Sequence, residues 1–454
     1  MIVPSARLLF WFALVAIPFT AIGAVYPAAF GISVALLAAL LIVVVADGAL
    51  SLSRLDSLSL GVPDLLRASK DRAVSIPLLV TNPAKTPLIV RFGIPFPREM
   101  ETEQEEILSR LSAEAETSQI EWNVTPQRRG SFRLNQVFME TTSRLGLWSI
   151  RRRAAINGEV RVYPNLLKER KNLAALFLNR GAFGLHAQRQ IGKGRDFEKL
   201  REYVPGDGLD EIHWKATARR GHPVTKVFQI ERTQEVYVII DASRLSARKP
   251  AGADHPAAGG ADAAVSDTVL ERFLASALVL GQAAEQQGDL FGLITFTDQV
   301  KTFLRAKNGK NHYAACRDSI YALEPEPVTP DFDEIGAFIR TRLRRRALLL
   351  FLTSLEDPVL AEGFLRNMSL LAGQHLVLVT MLKPDGAGPL FSKPDVASPD
   401  DIYRHLGGHL RWHNLRELEM TLQRRGIHFA LTENEHLARE LVTQYLNVKR
   451  RQLL

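Results

Sequence analysis

The sharpest chemical signal in this chain is an aspartate that closes an apolar strand, followed two residues on by a hydroxyl. Val236–Ile240 runs directly into Asp241-Ala242-Ser243. A carboxylate and a hydroxyl at such a strand end place oxygen donors at the carboxyl edge of a sheet, where α/β proteins hold their ligands. Magnesium favours donors of this kind. Thr329, in Glu326-Pro327-Val328-Thr329-Pro330-Asp331, supplies a hydroxyl from a second loop. Thr353, Ser354, Glu356 and Asp357 follow the strand that ends at Leu352 and extend the donor set. The expected metal ligands are therefore Asp241, Ser243 and Thr329. The competing expectation is that Asp241 caps its own loop by accepting backbone hydrogen bonds.

A second constellation lies upstream, in Arg201-Glu202-Tyr203-Val204-Pro205-Gly206-Asp207 and Ile212-His213-Trp214-Lys215-Ala216-Thr217-Ala218-Arg219. Pro205-Gly206-Asp207 reads as a turn, since proline fixes φ and glycine permits positive φ. Asp207, Trp214, Lys215 and Arg219 form the expected docking set. Trp214 is expected to anchor a packed patch whose cations pair with Glu198, Glu202 or Asp207. Other groups carry less. Ile191-Gly192-Lys193-Gly194 lacks the spacing of a phosphate loop. His405, His409 and His413 stand at i, i+4 and i+8, but Gly407 and Gly408 are expected to interrupt their helix and leave loop histidines in place of a zinc site. His213 reads as a packing or hydrogen-bonding histidine, and Cys316 as a small buried apolar residue. No Ser-His-Asp set, Cys-x-x-Cys pair or H-E-x-x-H motif occurs, so the expected function is not enzymatic.

These groups need elements to hold them. No charged side chain occurs between Arg7 and Asp47, and a bilayer core takes about 20 apolar residues per helix. Leu8–Tyr26 and Ala28–Ala46 thus read as two spans around a Tyr26-Pro27 turn, giving a transmembrane hairpin over residues 1–47. A cleaved signal peptide fits less well, because a second apolar span follows at once. Arg7, Arg54, Arg67, Lys70 and Arg72 flank the spans and the turn has no charge, which places the soluble body on the cytoplasmic side of the inner membrane. The single cysteine excludes an intramolecular disulfide and suits a reducing compartment. Alternation in Val74–Thr81, Thr86–Phe92, Ile120–Val124 and Gly130–Thr141 makes residues 48–165 a β-rich, sandwich-like domain. Residues 166–234 form a linking segment. From residue 235 to 454 apolar strand runs alternate with helices, which calls for a mainly parallel sheet covered on both faces, a three-layer α/β domain. Arg248–Ala264 is a low-complexity insert between its first strand and first helix. The net charge is +8, and Arg151–Arg153 with Arg342, Arg344, Arg345 and Arg346 form basic runs. Solvated faces explain such runs; lipid or nucleic-acid binding is the alternative.

The strand order and the Asp-x-Ser opening resemble a von Willebrand factor A-like domain with its metal-ion-dependent adhesion site. Arg201–Asp207 and Ile212–Arg219 resemble the signature of the bacterial domain of unknown function 58 family. The hairpin, Arg129-Gly130, Leu145-Gly146 and Val162-Tyr163-Pro164 follow that family's layout. The resemblance implies a Rossmann-like fold for the C-terminal part, and a MoxR-type AAA+ ATPase and membrane-bound transglutaminase-like proteins as partners. It implies a role as an adaptor in assembly or maturation of protein complexes; an envelope-associated hydrolase or a lipid- or nucleic-acid-binding scaffold is the alternative. The chain departs from the adhesion-site pattern: Leu245 stands where a second serine is usual, and Thr353-Ser354-Leu355 replaces Thr-Asp-Gly. Asp210 falls where the family often shows arginine.

Overall fold

Two helices long and apolar enough to cross a membrane open the first of two units, Met1–Asn165 and Leu166–Leu454. The structure, a computed structural model, describes residues 1–112, 114–167, 191–204, 208, 212–229, 234–250, 268–390 and 398–451. Helix α1 (Ala6–Val25) carries Pro18, whose ring and missing N–H disturb the turn before it. The helix widens there into a π turn over Phe12–Ala16, and the Thr20 hydroxyl donates to the Ala16 carbonyl at 2.8 Å. Tyr26 is extended, as the residue before a proline tends to be, and reverses the chain into α2 (Phe30–Ser51). At 1.5 Å per residue α2 is about 33 Å long, a match to a hydrocarbon core of about 30 Å. The second span was expected to stop at Ala46; the helix continues to Ser51 and takes Asp47 with it.

The strands of this unit are β1 (Ile2–Pro4), β2 (Ser59–Gly61), β3 (Leu65–Ser69), β4 (Val74–Thr81), β5 (Leu88–Gly93), β6 (Met100–Thr102), β7 (Glu106–Leu111), β8 (Thr117–Pro126), β9 (Gly130–Thr142) and β10 (Trp148–Tyr163). One sheet has the order β1-β10-β9-β5-β7, with β3 parallel to β10; the other has the order β2-β4-β8-β6. Alternate residues meet between them: Ile76, Leu78, Val80, Trp122 and Val124 join Val90, Phe92, Val137, Met139 and Val160 in one core. The buried Trp122 indole donates to the Gln104 carbonyl at 2.7 Å, so its N–H is satisfied.

The hairpin and this β domain are stitched together at one turn, residues 143–148. Asp47 is buried, and its carboxylate accepts from the Ser143 hydroxyl at 2.5 Å and from the Leu145 N–H at 3.0 Å. Trp148 Nε1 donates to the Val44 carbonyl at 2.9 Å, and the Ser51 hydroxyl accepts from the Arg144 N–H at 3.2 Å. From α1, the Ser5 hydroxyl donates to the Gly146 carbonyl at 2.6 Å. Gly146 has φ +76°, the left-handed region that glycine enters without steric cost.

The second unit begins with an antiparallel ribbon of β11 (Ile191–Glu202) and β12 (Val224–Gln229), with α3 (Trp214–Arg220) between them in sequence. Its main sheet contains β13 (Glu235–Asp241), β14 (Leu290–Phe296), β15 (Val300–Lys307), β16 (Ala347–Leu352), β17 (Leu376–Leu382) and β18 (His428–Thr432). The order is β15-β14-β13-β16-β17-β18, parallel throughout except for the antiparallel edge strand β15. Every residue of β16 is buried, as expected of a strand covered on both faces. One face is covered by α4 (Val269–Gln286), α5 (Lys310–Ile320) and the last helix; the other by α6 (Phe332–Arg342), α7 (Pro358–Leu371) and α8 (Pro399–Arg424). The last helix is α9 (Leu437–Arg451), amphipathic and packed through Leu441, Val442 and Tyr445.

His375, at the foot of β17, is buried, and neither ring nitrogen has a hydrogen-bond partner among the described residues. Burial therefore holds its pKa below the ordinary value of 6.5. A depressed histidine supports the fold while neutral, and that support is lost as pH falls below the unfolded value toward the folded one. Thermal unfolding followed between pH 7.5 and pH 5 (about that range) is expected to show a declining midpoint that His375→Phe flattens. Parallel pH profiles of the two proteins would remove His375 as the cause.

Candidate functional site

The chain visits β13 first, then β14 and β15 on one side, and crosses to β16 on the other. Loops leaving the carboxyl ends of β13 and β16 therefore diverge around a crevice, the place where open α/β sheets bind ligands. Asp241 sits at its floor, fully buried. Its Oδ1 accepts from the Ser243 N–H at 2.9 Å, and its Oδ2 from the Thr353 hydroxyl at 2.6 Å. The carboxylate thus ties the two loops together. Burial pushes the Asp241 carboxyl above the ordinary carboxylate range, against the pull of its bonds to Ser243 and Thr353.

The other two expected ligands are brought close but are engaged elsewhere. The Ser243 hydroxyl accepts from the Leu245 N–H at 3.3 Å and caps the short 3-10 turn Arg244–Ala247. Thr329 arrives on a loop strapped beside β13, where Arg244 N–H donates to the Val328 carbonyl at 3.0 Å. The Thr329 hydroxyl accepts from Arg244 Nε at 3.2 Å. Ser246 turns back to the Ser243 carbonyl at 2.9 Å, and Asp357 caps α7 by accepting from the Val359 N–H at 2.9 Å.

The cation at this rim is a guanidinium. Arg248 pairs with Glu356 at 2.8 Å, donates to the Ser354 hydroxyl at 2.8 Å and to the Leu245 carbonyl at 3.1 Å. Its charge favours the ionised form of Asp241. Magnesium needs near-octahedral oxygens at about 2.0–2.1 Å, and the oxygens here already accept protein hydrogen bonds. As arranged, Asp241, Ser243 and Thr329 do not fit that ion. Sequence reasoning assigned Arg248 to the start of a low-complexity insert and missed it; its one available signal was a long cation seven residues after Asp241.

The second set is divided. Asp207 lies outside the described residues. Trp214 opens α3 and is 69% exposed, with Lys215 and Arg219 also on the surface. The packed patch expected around Trp214 is therefore not formed by the described residues. The helix is held instead through His213, whose Nδ1 accepts from the Ala216 N–H at 3.0 Å, and through the Thr217 hydroxyl, which accepts from the Val224 N–H at 3.1 Å. Glu202 faces His222 at 3.5 Å, in place of a lysine or arginine of that set.

Two further expectations change. Gly407 and Gly408 do not break their helix: α8 runs unbroken from Pro399 to Arg424. A Cβ on Gly408 would come 2.1 Å from the Gly386 carbonyl oxygen, so the residue serves a close backbone approach. His409 stacks on Trp412 and accepts from the Leu390 N–H at 3.1 Å, while His413 faces Glu417 at 3.2 Å. Cys316 is buried, and burial pushes its thiol up to about 12, which leaves it a poor nucleophile.

Residues 199–388 match the model of a family described as "Protein of unknown function DUF58". Uncharacterized proteins of Mycobacterium tuberculosis and Mycobacterium bovis are 24% identical over 196 residues, 42% of this chain and 56% of theirs. The chain therefore spans about half the length of the curated relatives it matches. Among solved structures, an aerotolerance-related membrane protein from Bacteroides fragilis is 16% identical with a TM-score of 0.30, covering 47% of this chain and 98% of that one. The conserved hypothetical protein BatB from Bacteroides thetaiotaomicron is 14% identical with a TM-score of 0.29, covering 48% and 99%. Likenesses that slight carry no argument about fold or activity. The Asp241 rim and the Trp214 helix both fall inside the stretch that matches this family model, residues 199–388.

Proposed function

We propose that the protein is a membrane-anchored interaction module whose α/β unit, of the von Willebrand factor A-like type, captures a partner protein at the rim built on Asp241. The observation that carries this reading is the tie from Asp241 to both Ser243 and Thr353, which fixes two divergent loops while Arg244 and Arg248 stay on the surface. The resemblance described above makes a MoxR-type AAA+ ATPase the partner to test first. In this reading the two apolar helices anchor the chain in the inner membrane, the soluble body faces the cytoplasm, and the rim binds without catalysing a reaction. Trp214, Lys215 and Arg219 serve as a secondary docking set, with Asp207 beside them in sequence.

Asp241→Ala is expected to leave the protein inserted and folded but to lower ATPase co-purification about tenfold, and Arg244→Glu to do the same from the surface. Because the Asp241 oxygens are already occupied by protein donors, capture is expected to survive EDTA. Undiminished co-purification of the ATPase with both variants would remove the rim from the interface. Protease digestion of intact spheroplasts checks the orientation: cleavage of the body from outside would overturn the cytoplasmic placement.

A further inference from the structure

The outer face of the larger sheet in the Met1–Asn165 unit combines arginines with exposed apolar side chains in register. Arg151, Glu140, Arg91 and Leu108 stand opposite one another across β10, β9, β5 and β7; Arg153, Phe138, Gly93 and Glu106 form the next row. Cross-strand partners share a face, so these side chains lie together. Leu108 is 66% exposed, Phe138 46%, and Ile89 in the adjoining row 56%. Three large apolar side chains on one sheet face are more than scattered surface residues. Of these, Phe138 lines a groove of about 940 Å³, together with Arg153 and with Phe96 and Arg98 from the loop after β5.

Gly93 leaves the middle of the second row without a side chain, between Phe138 and Glu106. Nothing forbids one: a Cβ there would meet its nearest neighbour, the Glu105 carbonyl, at 3.8 Å. The gap is a slot, not a steric necessity. The charge around it is unbalanced. Arg91 pairs with Glu106 at 3.4 Å and Arg151 with Glu140 at 2.8 Å. Among the described residues no acid is paired with Arg98, Arg110 or Arg153.

We propose that this groove is a second interaction surface, distinct from the Asp241 rim, and that it takes an extended acidic segment of a partner protein carrying apolar residues between its carboxylates. An acidic side chain meets Arg153 or Arg98 while the apolar side chain two residues along fills the slot over Gly93 against Phe138. Extended peptides present side chains to one face every second residue, about 6.7 Å apart. Anionic lipid is the weaker occupant. β10 rises from Trp148, whose indole is bonded to the second apolar helix, so Arg153 stands about 16 Å further along the strand. A strand leaving a membrane surface upright would carry Arg153 beyond the Debye length of about 8 Å over which such a surface acts.

The test uses the full chain in nanodiscs of zwitterionic lipid and a fluorescein-labelled peptide in which acidic (aspartate or glutamate) and apolar (leucine or phenylalanine) residues take turns at every second position, with serine between them, so that one face carries both. The expected result is saturable binding at least about tenfold tighter than that of the matched asparagine/glutamine peptide, weakening as salt rises. Arg98→Glu with Arg153→Glu is expected to reduce it about tenfold, and Gly93→Val, which fills the slot, by a similar factor. All three positions lie on the surface, and unchanged thermal unfolding of the variants checks that the fold is kept. Equal affinity for the neutral peptide, or binding untouched by both variants, overturns the proposal. So does preference for nanodiscs containing phosphatidylglycerol over the peptide, which would make the face a lipid site.

Discussion

Asp289→Ala is expected to destabilise the C-terminal unit by about 3 kcal/mol, the cost typical of removing one partner from a buried charged cluster. Asp289 lies just before β14 and is 1% exposed. One carboxylate oxygen accepts from the Gln234 N–H at 3.2 Å; the other accepts from Lys449 Nζ at 2.8 Å and from the Tyr445 hydroxyl. Both α9 side chains thus meet at one acid, and Lys449 Nζ donates in addition to the Gln287 carbonyl at 2.9 Å. Burial and the neighbouring carboxylate hold the Tyr445 hydroxyl well above the ordinary tyrosine range, so it remains a donor. Truncation strands that hydroxyl in a fully buried site and leaves the lysine without its counter-charge. Tyr445→Phe removes one donor and keeps the ion pair, so a loss of about 1 kcal/mol is expected. Hydrogen exchange of the α9 amides reads both variants locally, with thermal unfolding as the global measure. Wild-type protection in Asp289→Ala would show that apolar packing alone holds the helix.

Asp47→Ala is the second large effect, and it is one of geometry as much as stability. The carboxylate bridges the end of a membrane-length helix to Ser143 and Leu145. Its loss leaves a buried hydroxyl and a backbone N–H unsatisfied, at about 1–3 kcal/mol for each group. The turn at 143–148 then keeps its bonds with Ser5, Ser51 and Trp148 and the pairing of β1 with β10. Spin labels placed on α2 and on β9 are expected to give a narrow distance distribution in the native protein and a broadened one in the variant. Identical distributions would mean that Trp148 and β1 suffice to hold the joint.

Much of this architecture is legible in residue types. The charge-free stretch after Arg7 specifies the hairpin, alternation specifies β4 and β8, and the all-apolar runs at Val236–Ile240 and Ala347–Leu352 specify the central strands of a doubly covered sheet. Asp241, Ser243 and Thr329 are brought to one rim, and Thr353 joins them. What escapes the sequence depends on distant partners. β1 is three residues long, too short for any periodicity, and exists because β10 offers it an edge. Gly407-Gly408 looks like a helix breaker until the Gly386 carbonyl is seen beside it. Arg248 sits in a stretch whose composition hides its partner, Glu356, more than a hundred residues away.

The stitching of the hairpin to residues 143–148 has a mechanical consequence. β10 leaves that joint as a 16-residue strand ending at Tyr163, a contour of about 50 Å at about 3.3 Å per residue. The first unit is therefore a lever whose short arm is the pair of apolar helices. A tilt of that pair by about ten degrees swings the far tip by roughly 9 Å, so a small rotation at the helices becomes a large displacement at the other end of the strand.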